Sequence, residues 1–167
     1  MKAHVVCGNA GAGKSTFAVR LCAELGAVLI DIDTVTERLA KLALSCRGMD
    51  QNDRDSPEYK ALLREPVYET LFDVAVANLP HLPCVIVAPF TLERRQADWP
   101  LRLARRLGAE VEIYLVHCSD EQRRSRIEQR GNPRDQGKLV DFSSYAGLGV
   151  DPGPLPFAHR RIDTSGR

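Results

Sequence analysis

Gly8-Asn9-Ala10-Gly11-Ala12-Gly13-Lys14-Ser15 decides the fold. The string fits G-x-x-x-x-G-K-[ST] at every fixed position, and its flanks supply the context the pattern needs, an apolar strand-like run at 4–7 before it and a helical stretch at 14–25 after it. In that stretch Phe17, Leu21 and Leu25 share one helical face. Glycines let the backbone turn its N–H groups inward, and the positive end of the following helix adds to them, so such a loop grips a polyphosphate. Gly8, Asn9, Ala10, Gly11, Ala12 and Gly13 form the expected cradle for ATP. Lys14 is expected to reach the β- and γ-phosphates, Ser15 to ligate Mg²⁺, and Thr16 to sit in the first helical turn with a contact to the α-phosphate.

Outward from the loop, strands and helices alternate. Gly26 stands at a helix C-cap position, and 27–30 is a continuous apolar run of the kind buried on both faces of a parallel sheet. Asp33 or Thr34 is expected to cap the next helix, with Glu37 completing a capping box and Val35, Leu39 and Leu42 as its buried stripe. The polar stretch 46–55 reads as a surface loop. Ser56 and Pro57 then open a helix over 59–79 that Pro66 should kink or break near Glu65. A third strand at 85–88 ends at Pro89; a helix over 101–107 lies between Pro100 and Gly108; a fourth strand covers 111–117. Ser119 with Gln122 caps a helix reaching about Arg130, and 131–138 reads as a polar loop. A single turn at 141–145, an irregular Gly- and Pro-rich stretch at 147–156 and a last strand at 158–163 complete the chain.

This order predicts an α/β class: a three-layer P-loop NTP hydrolase fold with a five-stranded parallel sheet and helices on both faces, its ligands at the C-terminal edge of the strands. One domain over 1–167 is expected. Its 23 Lys and Arg nearly cancel 22 Asp and Glu, so no broad polyanion-binding surface is implied and a nucleic-acid partner is disfavoured. No long apolar run or leader pattern appears, which predicts a cytoplasmic protein without a membrane partner. Five scattered cysteines without a CxxC pair argue against zinc and a disulfide framework. The composition does not address oligomeric state.

Which nucleotide protein this is depends on the other motifs. The third strand ends Val87-Ala88-Pro89-Phe90 without the acidic residue of a motor ATPase, and no N/T-K-x-D base-reading motif of a GTPase is present. Asp31 and Asp33 end the second strand at i, i+2 spacing, which in an extended segment points both carboxylates the same way. Asp31 is the expected metal ligand, through water, and Asp33 the residue that orients the acceptor hydroxyl or accepts its proton; the plainer alternative makes them a solvated strand end and a helix cap. Arg123, Arg126 and Arg130 share a helix face and Arg134 follows. Arg130 and Arg134 read as a basic lid over 130–138 that closes on the phosphates, while Arg123 and Arg126 also fit a solvated basic face.

These residues resemble the small-molecule kinase branch of P-loop proteins, which holds shikimate kinase, gluconate kinase, chloramphenicol phosphotransferase and polynucleotide kinase, and the string at 130–138 is similar to that of the bacterial "predicted kinase" family. The resemblance implies a sheet of nucleoside-monophosphate-kinase type. It implies roles for Asp31 in magnesium binding and Asp33 in holding the acceptor, and it puts Thr164 at the turn passing the adenine, with Arg126 or Arg123 on the opposite face of the base. It departs at Ala88-Pro89-Phe90, where several relatives carry an acidic or glycine-rich strand end, and at Arg167, beyond which these kinases usually continue into a helix, implying a more open adenine side. A phosphotransferase acting on a small hydroxyl-bearing acceptor is the expected function, against an ATP-binding regulator or weak ATPase and a nucleic acid 5′-hydroxyl kinase. The acceptor wall is expected within 34–80, from Arg38, Arg47, Arg54, Arg64, Glu65 and Tyr68, with Phe90 and Trp99 as an apolar wall or as core.

Overall fold

The computed structural model describes residues 1–143 and 154–166. Its elements are β1 (Lys2–Cys7), α1 (Lys14–Leu25), β2 (Val28–Asp31), α2 (Ile32–Cys46), α3 (Pro57–Asn78), β3 (Cys84–Val87), α4 (Trp99–Leu107), β4 (Glu110–His117), α5 (Asp120–Arg130), α6 (Gln136–Val140) and β5 (Arg160–Asp163), with 3-10 turns at Glu93–Arg95 and Pro133–Asp135. The strands form one sheet in the order β2-β3-β1-β4-β5, and every neighbouring pair is parallel. The expected α/β architecture is therefore present. Of the turn expected at 141–145 only 141–143 are described, and most of the irregular stretch at 147–156 lies outside the described residues.

Alternation along the strands divides the core. Ala3, Val5 and Cys7 of β1 face Leu71 and Ala75 of α3 and Trp99 and Leu103 of α4. Val6, with Val85, Val87 and Val116, faces Ala18 and Leu21 of α1 on the other side. Central strands are buried on both faces because right-handed crossovers cover each with helices. The second strand is an edge strand, so Leu29 remains 39% exposed and the double burial expected there does not occur.

Several local expectations are revised. Leu39 and Leu42 are 67% and 61% exposed; α2 instead buries Ile32, Thr36, Ala40 and Leu44. Thr36 fits this face because its hydroxyl donates to the Ile32 carbonyl within the helix. On α1, Leu25 is exposed and Ala18 with Leu21 carries the contact. Pro66 does not divide α3, which runs continuously over Pro57–Asn78 from a Ser56 cap. The segment after α5 is a 3-10 turn and a short helix rather than a loop.

Candidate active site

The phosphate loop leaves the central strand β1 at the sheet's C-terminal edge, where doubly wound sheets bind ligands. Two of its glycines are required by close approach. A Cβ on Gly8 would stand 2.2 Å from the Val116 carbonyl oxygen, and one on Gly11 would stand 2.6 Å from that of Arg123, both at positive φ. Lys14 folds over the loop, its Nζ donating to the Asn9 carbonyl at 2.9 Å, and burial brings its pKa down to about 8 against the opposing pull of Asp33 and Asp31. A partly buried ammonium on a glycine-rich loop at a helix N-terminus is an arrangement that an anion stabilises.

Opposite the loop, β2 passes directly into α2. Asp31, 8% exposed, is the N-cap of α2: its Oδ1 accepts from the Asp33 amide at 3.0 Å, while its Oδ2 accepts from Ser15 Oγ at 2.8 Å. The cap is thus Asp31 rather than Asp33 or Thr34, and Asp33 lies in the first helical turn rather than in extended chain. Glu37 joins no capping box; it meets Arg134, Arg54 and Lys41.

The four arginines divide into pairs with different work. Arg123, 3% exposed, sends Nε to the Ala10 carbonyl at 3.1 Å and Nη1 to Asp120 at 2.6 Å. Arg126 donates to the Gly11 carbonyl at 3.3 Å and to Thr164 Oγ1 and O at 3.0 and 2.7 Å. Thr164 Oγ1 in turn donates to Ala12 O at 2.9 Å. Arg123, Arg126 and Thr164 therefore brace the loop's carbonyls at Ala10, Gly11 and Ala12. A solvated basic face does not describe them.

Arg134 bonds the Asp33 carboxylate with Nη2 and Glu37 Oε2 with Nη1 at 3.0 Å. Arg130 meets Asp135 at 2.5 Å and Lys138 meets the same carboxylate at 3.0 Å, so the 2% exposed Asp135 anchors the segment. Burial would raise the Asp33 carboxyl, but the hydrogen bond and charge of Arg134 outweigh it and hold the group below its ordinary value. The same balance, with Arg54 and Arg134 as the cations, lowers Glu37.

Loop, α2, α3 and this segment enclose a cleft of about 790 Å³. Of the expected acceptor-wall residues, Arg54, Arg64 and Tyr68 line it; Arg38, Arg47 and Glu65 do not. Arg54 and Arg64 lie over the rings of Tyr59 and Tyr68, at 5.3 and 4.8 Å. Phe90 and Trp99 are 0% and 3% exposed and belong to the core. Tyr59, Lys60, Thr36 and Thr91 also line the cleft and escape sequence reading, since isolated polar residues on a helix or in a turn look like surface.

ATP and Mg²⁺ fit these residues. The glycine contacts show a loop whose backbone is packed too closely for side chains, as an amide cradle requires. The Ser15 hydroxyl and Asp31 carboxylate supply hard oxygen donors at its rim, a pattern suited to an ion that keeps water and phosphate oxygens as its other ligands. Among the described residues no group of three His, Cys, Asp or Glu side chains could hold a metal alone, no helix is long and apolar enough to cross a membrane, and the five cysteines are free thiols.

A family model described as "AAA domain" matches residues 4–146. A search of curated proteins finds no match. Among solved structures the chain is similar to a gluconokinase from Sinorhizobium meliloti 1021, with 15% identity, TM-score 0.57 and coverage of 97% of this chain and 82% of that one. It is similar to a sugar kinase from Janibacter sp. HTCC2649, with 18% identity, TM-score 0.56 and coverage of 98% and 85%. A third is the APS kinase of Mycobacterium tuberculosis, solved in complex with AMPPNP and APS, with 16% identity, TM-score 0.55 and coverage of 98% and 88%. The chain thus shares the P-loop fold of these kinases.

Proposed function

The chain belongs to the AAA-domain family, and from that premise we propose that it moves the γ-phosphoryl group of ATP·Mg²⁺ to a hydroxyl of a small-molecule acceptor. The observation that carries this reading is the 2.8 Å hydrogen bond between Ser15 and Asp31, because it joins the phosphate loop to the acidic end of β2, with Asp33 two residues on in the first turn of α2 and on the same cleft. In this reading Gly8 to Thr16 hold the polyphosphate, and Ser15 with Asp31 hold the ion, the latter through water. When bound, the ion neutralises charge on the phosphoryl oxygens.

Asp33 orients the acceptor hydroxyl and takes its proton as the bond to phosphorus forms. A lowered pKa makes it a weak base, so orientation is its larger contribution. Phosphoryl transfer asks mainly for positioning and charge stabilisation, which suits that limit. Arg130 and Arg134 stabilise the transferring group and exclude water, and Arg126 with Thr164 borders the adenine side. The size and mixed lining of the cleft favour a small acceptor.

A second reading, an ATP-binding regulator that transfers nothing, is favoured by one observation: the Asp33 carboxylate is occupied by Arg134. A screen for acceptor-dependent ADP release over sugars, nucleosides, hydroxy acids and hydroxyl-bearing antibiotics separates the two. Transfer predicts release that rises with one acceptor class; ATP binding without such release supports the regulator.

A further inference from the structure

Arg94 lies behind the phosphate loop, outside every motif above. It follows β3 in the turn Glu93–Arg95 and is 2% exposed. Its Nη2 donates to Asn9 Oδ1 at 2.6 Å and its Nη1 to the Pro89 carbonyl at 3.4 Å. Enclosing a guanidinium is costly, so its placement has to be enforced by the structure around it.

The enforcing element is the corner after β3. Phe90 takes φ 48, the one positive φ at a non-glycine position among the described residues, a conformation bulky side chains resist. Its amide donates to Tyr68 Oη at 3.3 Å, and its carbonyl accepts from the Arg94 amide at 3.1 Å. Its ring is held against Trp99 and Tyr68, with centroids at 5.0 and 5.3 Å. Such strain persists only where the surroundings over-determine it. The consequence of the corner is that Arg94 turns back under the loop and meets Asn9.

Asn9 is therefore clamped from two sides. Its carbonyl accepts from Lys14 Nζ at 2.9 Å, and its side-chain oxygen accepts from Arg94. We infer that Arg94 is a positioning residue for the nucleotide: by fixing Asn9 it sets the first turn of the amide cradle and the place of the Lys14 ammonium, and it adds fixed positive charge behind the polyphosphate. Preorganised charge of this kind needs no rearrangement when the ligand arrives. The inference rests on the loop being an ATP site and is independent of whether phosphate is transferred.

The test is Mg²⁺-dependent binding of a fluorescent N-methylanthraniloyl ATP by the full chain, with near-ultraviolet circular dichroism as the folding control. Losing a hydrogen bond from a charged group is expected to weaken binding about tenfold or more in Arg94→Gln and in Asn9→Ala. The double variant should bind about as the weaker single does, because both changes cut one contact, and Arg94→Lys should recover part of the loss by keeping the charge. Folded Arg94→Gln or Asn9→Ala that binds within about twofold of wild type overturns the inference, as do fully additive losses. Should Arg94→Gln fail to fold, the half-buried Asn9 decides alone through Asn9→Ala. Wild-type protein that binds no analogue removes the nucleotide reading itself, an outcome distinct from equal binding by wild type and variants.

Discussion

The guanidinium of Arg134 is bonded to the carboxylate of Asp33, 101 residues away in the chain. Its second nitrogen reaches Glu37 on the next turn of α2, so one side chain fastens the segment after α5 to the helix that carries Asp33, the carboxylate proposed to meet the acceptor. Asp33 can receive a substrate hydroxyl only when at least part of this clamp opens or shares its oxygens. The clamp is a charge arrangement and should respond to pH.

Both Asp33 and Glu37 have carboxyls held below their ordinary values. As pH falls, the unfolded chain takes up protons on these groups first, so stability contributed by the clamp is full above the ordinary carboxylate range and is lost as pH drops through the lowered native values. Partly exposed pairs contribute about 0.2–1 kcal/mol each, or a Tm difference of a few degrees in a chain of this size. Thermal melts of wild type and Arg134→Ala should therefore differ by about that amount at neutral pH and converge as pH drops below the ordinary carboxylate range. A difference that does not change with pH would count against the clamp.

Asp31 performs two tasks, capping α2 and accepting from Ser15. Asparagine caps helices about as well as aspartate, so Asp31→Asn should leave Tm nearly unchanged. It removes the charge proposed to serve the ion, and on that proposal the Mg²⁺ concentration giving half-maximal ADP formation should rise by about 10- to 100-fold, the usual effect of losing an outer-shell carboxylate. An unaltered Mg²⁺ titration would remove Asp31 from the metal site.

Gly8→Ala would bring a Cβ within 2.2 Å of the Val116 carbonyl oxygen at φ +146, whereas a Cβ on Gly26 meets nothing within 4 Å. The first change must displace the loop and should abolish binding of the fluorescent ATP analogue. The second, at φ +60, should cost about 1–2 kcal/mol of stability through backbone strain alone and leave binding intact. Equal binding losses in both variants would show that the loop effect is general destabilisation.

How far these features can be read from the chain depends on whether their cause is local. The phosphate loop, the bounds of α1 and the glycine caps at Gly26 and Gly108 follow from residues within one turn of each other, and they appear where the pattern puts them. The burial of Thr36 and Ala40 in place of Leu39 and Leu42 follows from where α3 packs, which no periodicity within α2 encodes. Asp31 displaced Asp33 as the cap because β2 enters α2 without a connecting residue. Arg94 stands in Glu93-Arg94-Arg95, a charged string that resembles surface until the Phe90 corner turns it inward. Arg123 and Arg126 share a helical face as expected, but the loop that this face supports is known only once β4 and β5 are in place.

The proposed chemistry is tested most directly by ³¹P nuclear magnetic resonance of ATP·Mg²⁺, the protein and the acceptor class identified by the ADP-release screen. Phosphoryl transfer predicts a new phosphomonoester signal growing in equal amount with ADP, reduced by about 100-fold or more in Asp33→Asn while that variant still binds nucleotide. ADP accompanied by inorganic phosphate alone, or a phosphomonoester formed equally fast by Asp33→Asn, would contradict it.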